Sequence, residues 1–304
     1  MTDQTKAFCC AGLTILAWST VSTAFKVALA SLSPMQLIYV SMGVAALFLA
    51  GIVLVRREFA VFRSLDRRQW RSGAVLGLVI WLYYTLLFVA YDHLPAQIAQ
   101  PVNNTWALML ALMACVFLHQ KITLREFAWM LFAYSGVLVI TSGAGGSLGP
   151  LHPLGLACVI ASTVLYALYW ILNTKSGLPG LHGLVICFAA AFVLAAATLV
   201  VRGEPLTMPL RPFLGGAYVG LFELAIPFVL WGAALRLASS VARISTLPFL
   251  VPFLALFWIS LVLGEPIAWT TVLGLVLIVS GTIMQQRAAA RRGGTKENAD
   301  GKKN

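Results

Sequence analysis

Between Phe127 and Thr174 the chain carries no Asp, Glu, Lys or Arg. A soluble domain has to cover its surface with polar groups, and about a quarter of its residues are charged. Here only 10% are charged, 60% are AVILMFWYC, and the mean hydropathy is +0.90. A segment this long without charge needs an apolar solvent, and in a bilayer the backbone satisfies itself by forming helices. The expected class is an all-α polytopic membrane protein whose first partner is the lipid bilayer.

Each crossing takes about 20 apolar residues. Ten such runs are present, at 7–30, 34–55, 72–92, 95–118, 125–143, 153–173, 181–201, 213–235, 240–263 and 266–286. Pro34, Pro95, Pro153 and Pro266 open four of them, in the first turn where a missing N–H costs nothing. With the N-terminus inside, the inner loops and tail hold eighteen of the 21 Lys and Arg, while Arg202 and Arg211 face outward and Lys26 lies in the first run. This bias predicts an N-in, C-in topology. It also removes nucleic acid as a partner, because the +11 net charge reports orientation. Residues 287–304 are polar and basic and are expected to be a disordered cytoplasmic tail. The first apolar run is too long for a cleavable leader.

The chain also repeats itself. Gly12-Leu13, Ser19-Thr20-Val21 and Ala24 return 143 positions later as Gly155-Leu156, Ser162-Thr163-Val164 and Ala167. Gly73-Ala74 and Gly77-Leu78 return as Gly216-Ala217 and Gly220-Leu221, and Ser135-Gly136 as Ser280-Gly281 at 145. The predicted units are a first five-helix repeat at 1–143, a linker at 144–152 and a second repeat at 153–286. An odd helix count makes the second copy enter from the opposite side. The result is a 5+5 inverted repeat, the architecture of transporters that open a midplane site to either face.

Polar and aromatic groups at mid-membrane depth are the candidates for a substrate path. The first span offers Ser19, Ser22, Thr23 and Lys26, and the sixth offers Ser162, Tyr166, Tyr169 and Asn173 at helical spacing. Ser and Thr also serve as packing and back-bonding residues. In the third span Gly77, Trp81, Tyr84, Phe88 and Tyr91 form one stripe. Trp81 and Tyr84 are the deep candidates, Tyr91 fits an interfacial belt, and Tyr83 points elsewhere. In the fourth, Gln97, Gln100 and Asn104 share a face, with Asn103 nearer Trp106. Pro101, Pro248 and Pro252 remove backbone hydrogen bonds and are gating candidates, with static kinks as the alternative. Glu223 lies mid-span, opposite Ile80 in the repeat register. It is a candidate for a substrate amine or a coupling proton, or a neutral structural acid. Lys26 sits where its amine can snorkel.

Trp18-Ser19-Thr20, Pro101-Val102-Asn103-Asn104-Thr105-Trp106 and Leu263-Gly264-Glu265-Pro266, within ten helices in two copies, resemble the ten-helix EamA-type branch of the drug/metabolite transporter superfamily. Leu118-His119-Gln120-Lys121 departs from the usual Glu at the matching place in the first copy. Within that branch the chain is most similar to bacterial aromatic amino acid exporters. The resemblance implies a multi-pass protein of the bacterial inner membrane that exports aromatic and other neutral amino acids by alternating access. It adds Trp18 to the substrate-binding candidates and favours Asn103 and Trp106 for the cavity.

Aromatic walls suit indole and phenyl rings and an ammonium group, and amides serve both ends of a zwitterion. The same lining would accept other small metabolites or aromatic cationic drugs. An enzyme would need paired carboxylates or clustered histidines, whereas His93, His119, His152 and His182 are scattered. The five cysteines lie in apolar runs without metal-ligand spacing, so neither a metal nor a cofactor is expected.

Overall fold

A computed structural model describes residues 2–117, 122–147, 151–238, 244 and 247–300, with backbone alone for 143–147 and 290–300. The described residues are helical, with no strand among them. Eight helices are long and apolar enough to cross a membrane, and a shorter apolar helix covers Leu247–Leu263.

The first copy starts with α1 (Asp3–Leu29) and α2 (Pro34–Val55), then the short α3 (Ala60–Ser64) and the long α4 (Arg67–His93). Two capping boxes set starting points, Ser33 with Gln36 for α2 and Asp66 with Gln69 for α4. The predicted span 95–118 is two pieces, α5 (Ala96–Asn103) and α6 (Trp106–Phe117), parted at Asn104-Thr105 just past Pro101. Then comes α7 (Leu124–Ser147). The second copy holds α8 (Pro153–Lys175) and α9 (Gly180–Arg202), which stops at Gly203 in the left-handed region.

The predicted span 213–235 lies within Leu210–Leu237 but changes pitch midway. An α-helical α10 (Leu210–Val219) gives way to a π turn at Gly220–Ala225, then to α11 (Ile226–Leu237). A 3₁₀ turn at Leu247–Leu250 leads into α12 (Val251–Leu263). Finally α13 runs from Trp269 to Asp300. Its backbone stays helical past Arg287 as far as Asp300, and Ala288-Ala289-Ala290-Arg291-Arg292 holds no proline to stop it. The motif Leu118-His119-Gln120-Lys121 and the start of the predicted span 240–263 lie outside the described residues.

The helix contacts keep their pattern when the copies are exchanged. α2 packs on α9 and α7 on α13, pairs that map onto themselves. α4 against α8 maps onto the α10–α11 unit against α1, and α5–α6 against α8 maps onto α12 against α1. The repeated glycines sit at close helix crossings. A Cβ on Gly77 would sit 2.7 Å from the Cys187 carbonyl oxygen of α9, and one on Gly220 would sit 2.5 Å from the Ser41 oxygen of α2. Both copies thus use the same small residue to bring backbones together.

The duplicated Ser-Thr pairs are matched in detail as well. Ser19 donates to the Leu16 carbonyl at 2.8 Å and Ser162 to that of Val159 at 2.7 Å. Thr20 and Thr163 do the same to Ala17 and Ile160. These hydroxyls satisfy themselves on their own helices in hydrocarbon surroundings.

Candidate functional site

A cavity of about 170 Å³ lies where the copies meet. Its wall takes Trp18, Ser22 and Phe25 from α1, Tyr83 and Tyr91 from α4, and Gln100, Asn103, Asn104 and Trp106 from the α5–α6 break. From the second copy come Tyr166, Glu223, Phe228, Pro248 and Val251.

Glu223 owes its setting to two prolyl and pitch effects. Pro227 has no N–H to give the Glu223 carbonyl four residues back, and the chain answers with the π turn. The Trp18 indole N–H then donates to that carbonyl oxygen at 3.3 Å. The Glu223 carboxylate accepts from the Tyr84 hydroxyl at 3.0 Å. It is the one carboxylate among the described residues that line this cavity.

The opposite wall is aromatic. Tyr83 stacks on Tyr166 with centroids 4.5 Å apart, and Trp106 meets Tyr166 edge-on at 4.9 Å. The Asn103 amide donates to the Tyr83 hydroxyl at 3.2 Å and accepts from Ser162 at 3.4 Å. Trp18 meets Trp231 at 5.9 Å and Phe228 at 6.3 Å. At the far end Tyr91 donates to Ser22 at 3.0 Å. Two polar atoms on the wall, Gln100 Oε1 and Asn104 Nδ2, are buried without a hydrogen-bond partner among the described residues. Buried amides rarely go unpaired, so an acceptor and a donor here are notable.

Of the predicted residues, Trp18, Ser22, Asn103, Trp106, Tyr166, Glu223 and Pro248 reach the cavity wall, and Tyr84 touches it through Glu223. Ser19 is buried away from it and accepts from Trp258 at 3.1 Å. Thr23 faces another cavity with Thr20, Tyr218 and Trp258. Trp81 lies off the wall with its indole N–H unpartnered among the described residues. Tyr169 lines a cavity of about 280 Å³ with Arg56, Asn173, Phe228 and Arg236. Pro101 lies inside α5, and Pro252 is buried at the start of α12.

Four sequence readings change. Tyr83 does not point elsewhere, because α4 is enclosed by helices on several sides and adjacent faces are both interior. Tyr91 is no belt residue, being only 1% exposed. The two faces of the fourth span both reach the cavity because the chain turns between α5 and α6. Lys26 does not snorkel outward. Its amine donates to the Tyr91 and Leu94 carbonyls at 2.7 and 3.1 Å, capping the end of α4. Glu265 likewise caps α5, accepting from the Ala96 and Gln97 N–H groups at 3.0 and 3.2 Å.

Helices of membrane-spanning length, an internal duplication and a polar cavity between the copies define a polytopic membrane transporter. The EamA-like transporter family model matches residues 5–142 and 153–285, and the chain belongs to that family.

Among its relatives, a probable terminal-alkyne amino-acid exporter of Streptantibioticus cattleyicolor is 29% identical over 92% of this chain and 93% of its own. An uncharacterized transporter of Archaeoglobus fulgidus is 23% identical over 88% and 94%. Protein PecM of Dickeya dadantii is 25% identical over 71% and 73%. A solved crystal structure shares the fold at a TM-score of 0.66 and 19% identity, covering 95% of this chain and 99% of that one.

Proposed function

We propose that the protein exports aromatic and other neutral amino acids across the bacterial inner membrane by alternating access. Ten spans form a 5+5 inverted repeat, N-in and C-in, and the cavity between the copies is the substrate site. The observation that carries this reading is the chemistry of one wall against the other. Glu223 and the free Gln100 oxygen suit an ammonium group, and the free Asn104 amide suits a carboxylate. The ring pairs Tyr83–Tyr166 and Trp106–Tyr166 suit a planar side chain. The exchange-symmetric packing and the 29% identical probable amino-acid exporter support it.

At about 170 Å³ the cavity is smaller than the roughly 300 Å³ at the low end of ligand sites, so the walls part to admit a substrate. The gating prolines fit this need. Pro248 stands on the cavity wall in the 3₁₀ turn, and Pro101 precedes the α5–α6 break. A proton is the candidate coupling ion, carried by Glu223.

A second reading follows from the same carboxylate. An anionic group among aromatic rings also suits an aromatic cation. Counterflow in proteoliposomes loaded with unlabelled compound separates the two. Tryptophan and phenylalanine are expected to drive an overshoot of labelled tryptophan. An overshoot driven by cationic dyes alone would replace the amino acid reading, and none from any of these would remove both.

A further inference from the structure

A cavity of about 350 Å³ opens between α4 and α8, away from the central one. Arg68, Arg71 and Lys175 line it, with the hydroxyls of Ser72 and Ser176 and the apolar Leu76 and Leu172. Neither guanidinium pairs with a carboxylate among the described residues. Lys175 donates to the Phe117 carbonyl at 3.2 Å and pairs with no carboxylate among the described residues. Three cations that converge without an anion call for one.

The surroundings say which kind. From Arg71 an exposed stripe descends α4 through Val75, Leu78 and Leu82, spaced four, three and four residues apart. It stays on one helical face and is 48, 42 and 36% exposed. A phosphate in the pocket would thus have an apolar lane directly beneath it, long enough for an acyl chain. Basic pockets between helices on the cytoplasmic side hold anionic head groups, and the Lys/Arg bias puts this end there.

We propose that this pocket binds an anionic phospholipid of the inner leaflet, phosphate against Arg68, Arg71 and Lys175, with an acyl chain along Val75, Leu78 and Leu82. The site joins the two copies, since α4 belongs to the first and α8 to the second. The same helices carry Tyr83 and Tyr166, which stack in the central cavity. The bound lipid therefore clamps the seam that has to shift during transport.

Native mass spectrometry of the full-length protein with phosphatidylglycerol and phosphatidylcholine tests this. The wild type is expected to retain phosphatidylglycerol preferentially. Arg71→Gln is expected to lower that preference about fivefold, and the triple variant Arg68→Gln, Arg71→Gln, Lys175→Gln to abolish it, from the usual strength of each basic residue near an anionic surface. A control with Arg57→Gln and Arg63→Gln is expected to keep the preference. If the triple variant fails to fold, Arg71→Gln alone decides. An unchanged preference in Arg71→Gln, an equal loss in the control, or displacement of the lipid by millimolar inorganic phosphate would each overturn the proposal.

Discussion

The Tyr84 hydroxyl donates to the Glu223 carboxylate at 3.0 Å, joining α4 of the first copy to the π turn of the second. A carboxylate in hydrocarbon is costly unless paired, hydrated or protonated, and this bond is its partner. Glu223→Gln keeps shape and hydrogen bonding without an ionisable group. It is expected to raise the KM for tryptophan in counterflow, because the charge that faces the substrate ammonium is lost, and to flatten the dependence of the rate on pH between about 6 and 8. Rates measured across that range check it, and a wild type insensitive to a proton gradient would end the coupling role.

The aromatic wall is expected to set preference for ring-bearing substrates. Trp106→Ala, which removes part of that wall, and Tyr84→Ala, which removes the hydrogen-bond partner of Glu223, are each expected to raise the KM for tryptophan about tenfold. Expression and elution volume are expected to stay near wild type. Uptake kinetics of tryptophan in liposomes check this, and wild-type values in both variants would take these residues out of the site.

Lys26 ties one end of α1 to the carbonyls of Tyr91 and Leu94, whereas its repeat mate Tyr169 borders an open cavity of about 280 Å³. The two positions that match in the repeat therefore have different surroundings. Hydrogen bonds to a charged group contribute about 1.5–3 kcal/mol. Lys26→Met is expected to speed hydrogen–deuterium exchange of the amides from 90 to 97 by about tenfold or more. Unchanged exchange there would mean the amine holds nothing.

The repeated glycines predict a stability effect without a substrate effect. A methyl on Gly77 or Gly220 meets the backbone oxygen of Cys187 or Ser41 at 2.7 or 2.5 Å. Gly77→Ala and Gly220→Ala are each expected to cost about 1–3 kcal/mol, the usual penalty for overpacking. Thermal unfolding in detergent checks this, with Gly12→Ala as a control because open space surrounds that position.

Much of this architecture was legible from residue chemistry alone. The uncharged run from Phe127 to Thr174 required lipid, and the register at 143 located Gly77 against Gly220 and Ser19 against Ser162 before any contact was known. The uses of those residues were not legible. Ser19 and Ser162 looked like cavity hydroxyls by spacing, yet each closes on its own helix three residues back. Tyr83 and Tyr84 both face inward because α4 packs on more than one side, against α8 and α9 as well as α1 and α2. Gln100 and Asn104 share a face away from Trp106 on an ideal wheel, and both reach the cavity because the turn between α5 and α6 breaks that wheel. Pro227 was the overlooked signal for the π turn, standing four residues after Glu223.

The central claim is that the cavity between the copies opens in turn to both faces of the membrane. The direct measurement replaces the five native cysteines, places one at Ser22 on the cavity wall, and applies a membrane-impermeant thiol reagent from each side in turn. Modification from both sides, slowed by tryptophan in each case, is the predicted result. Modification from one side only, with or without substrate, would contradict it.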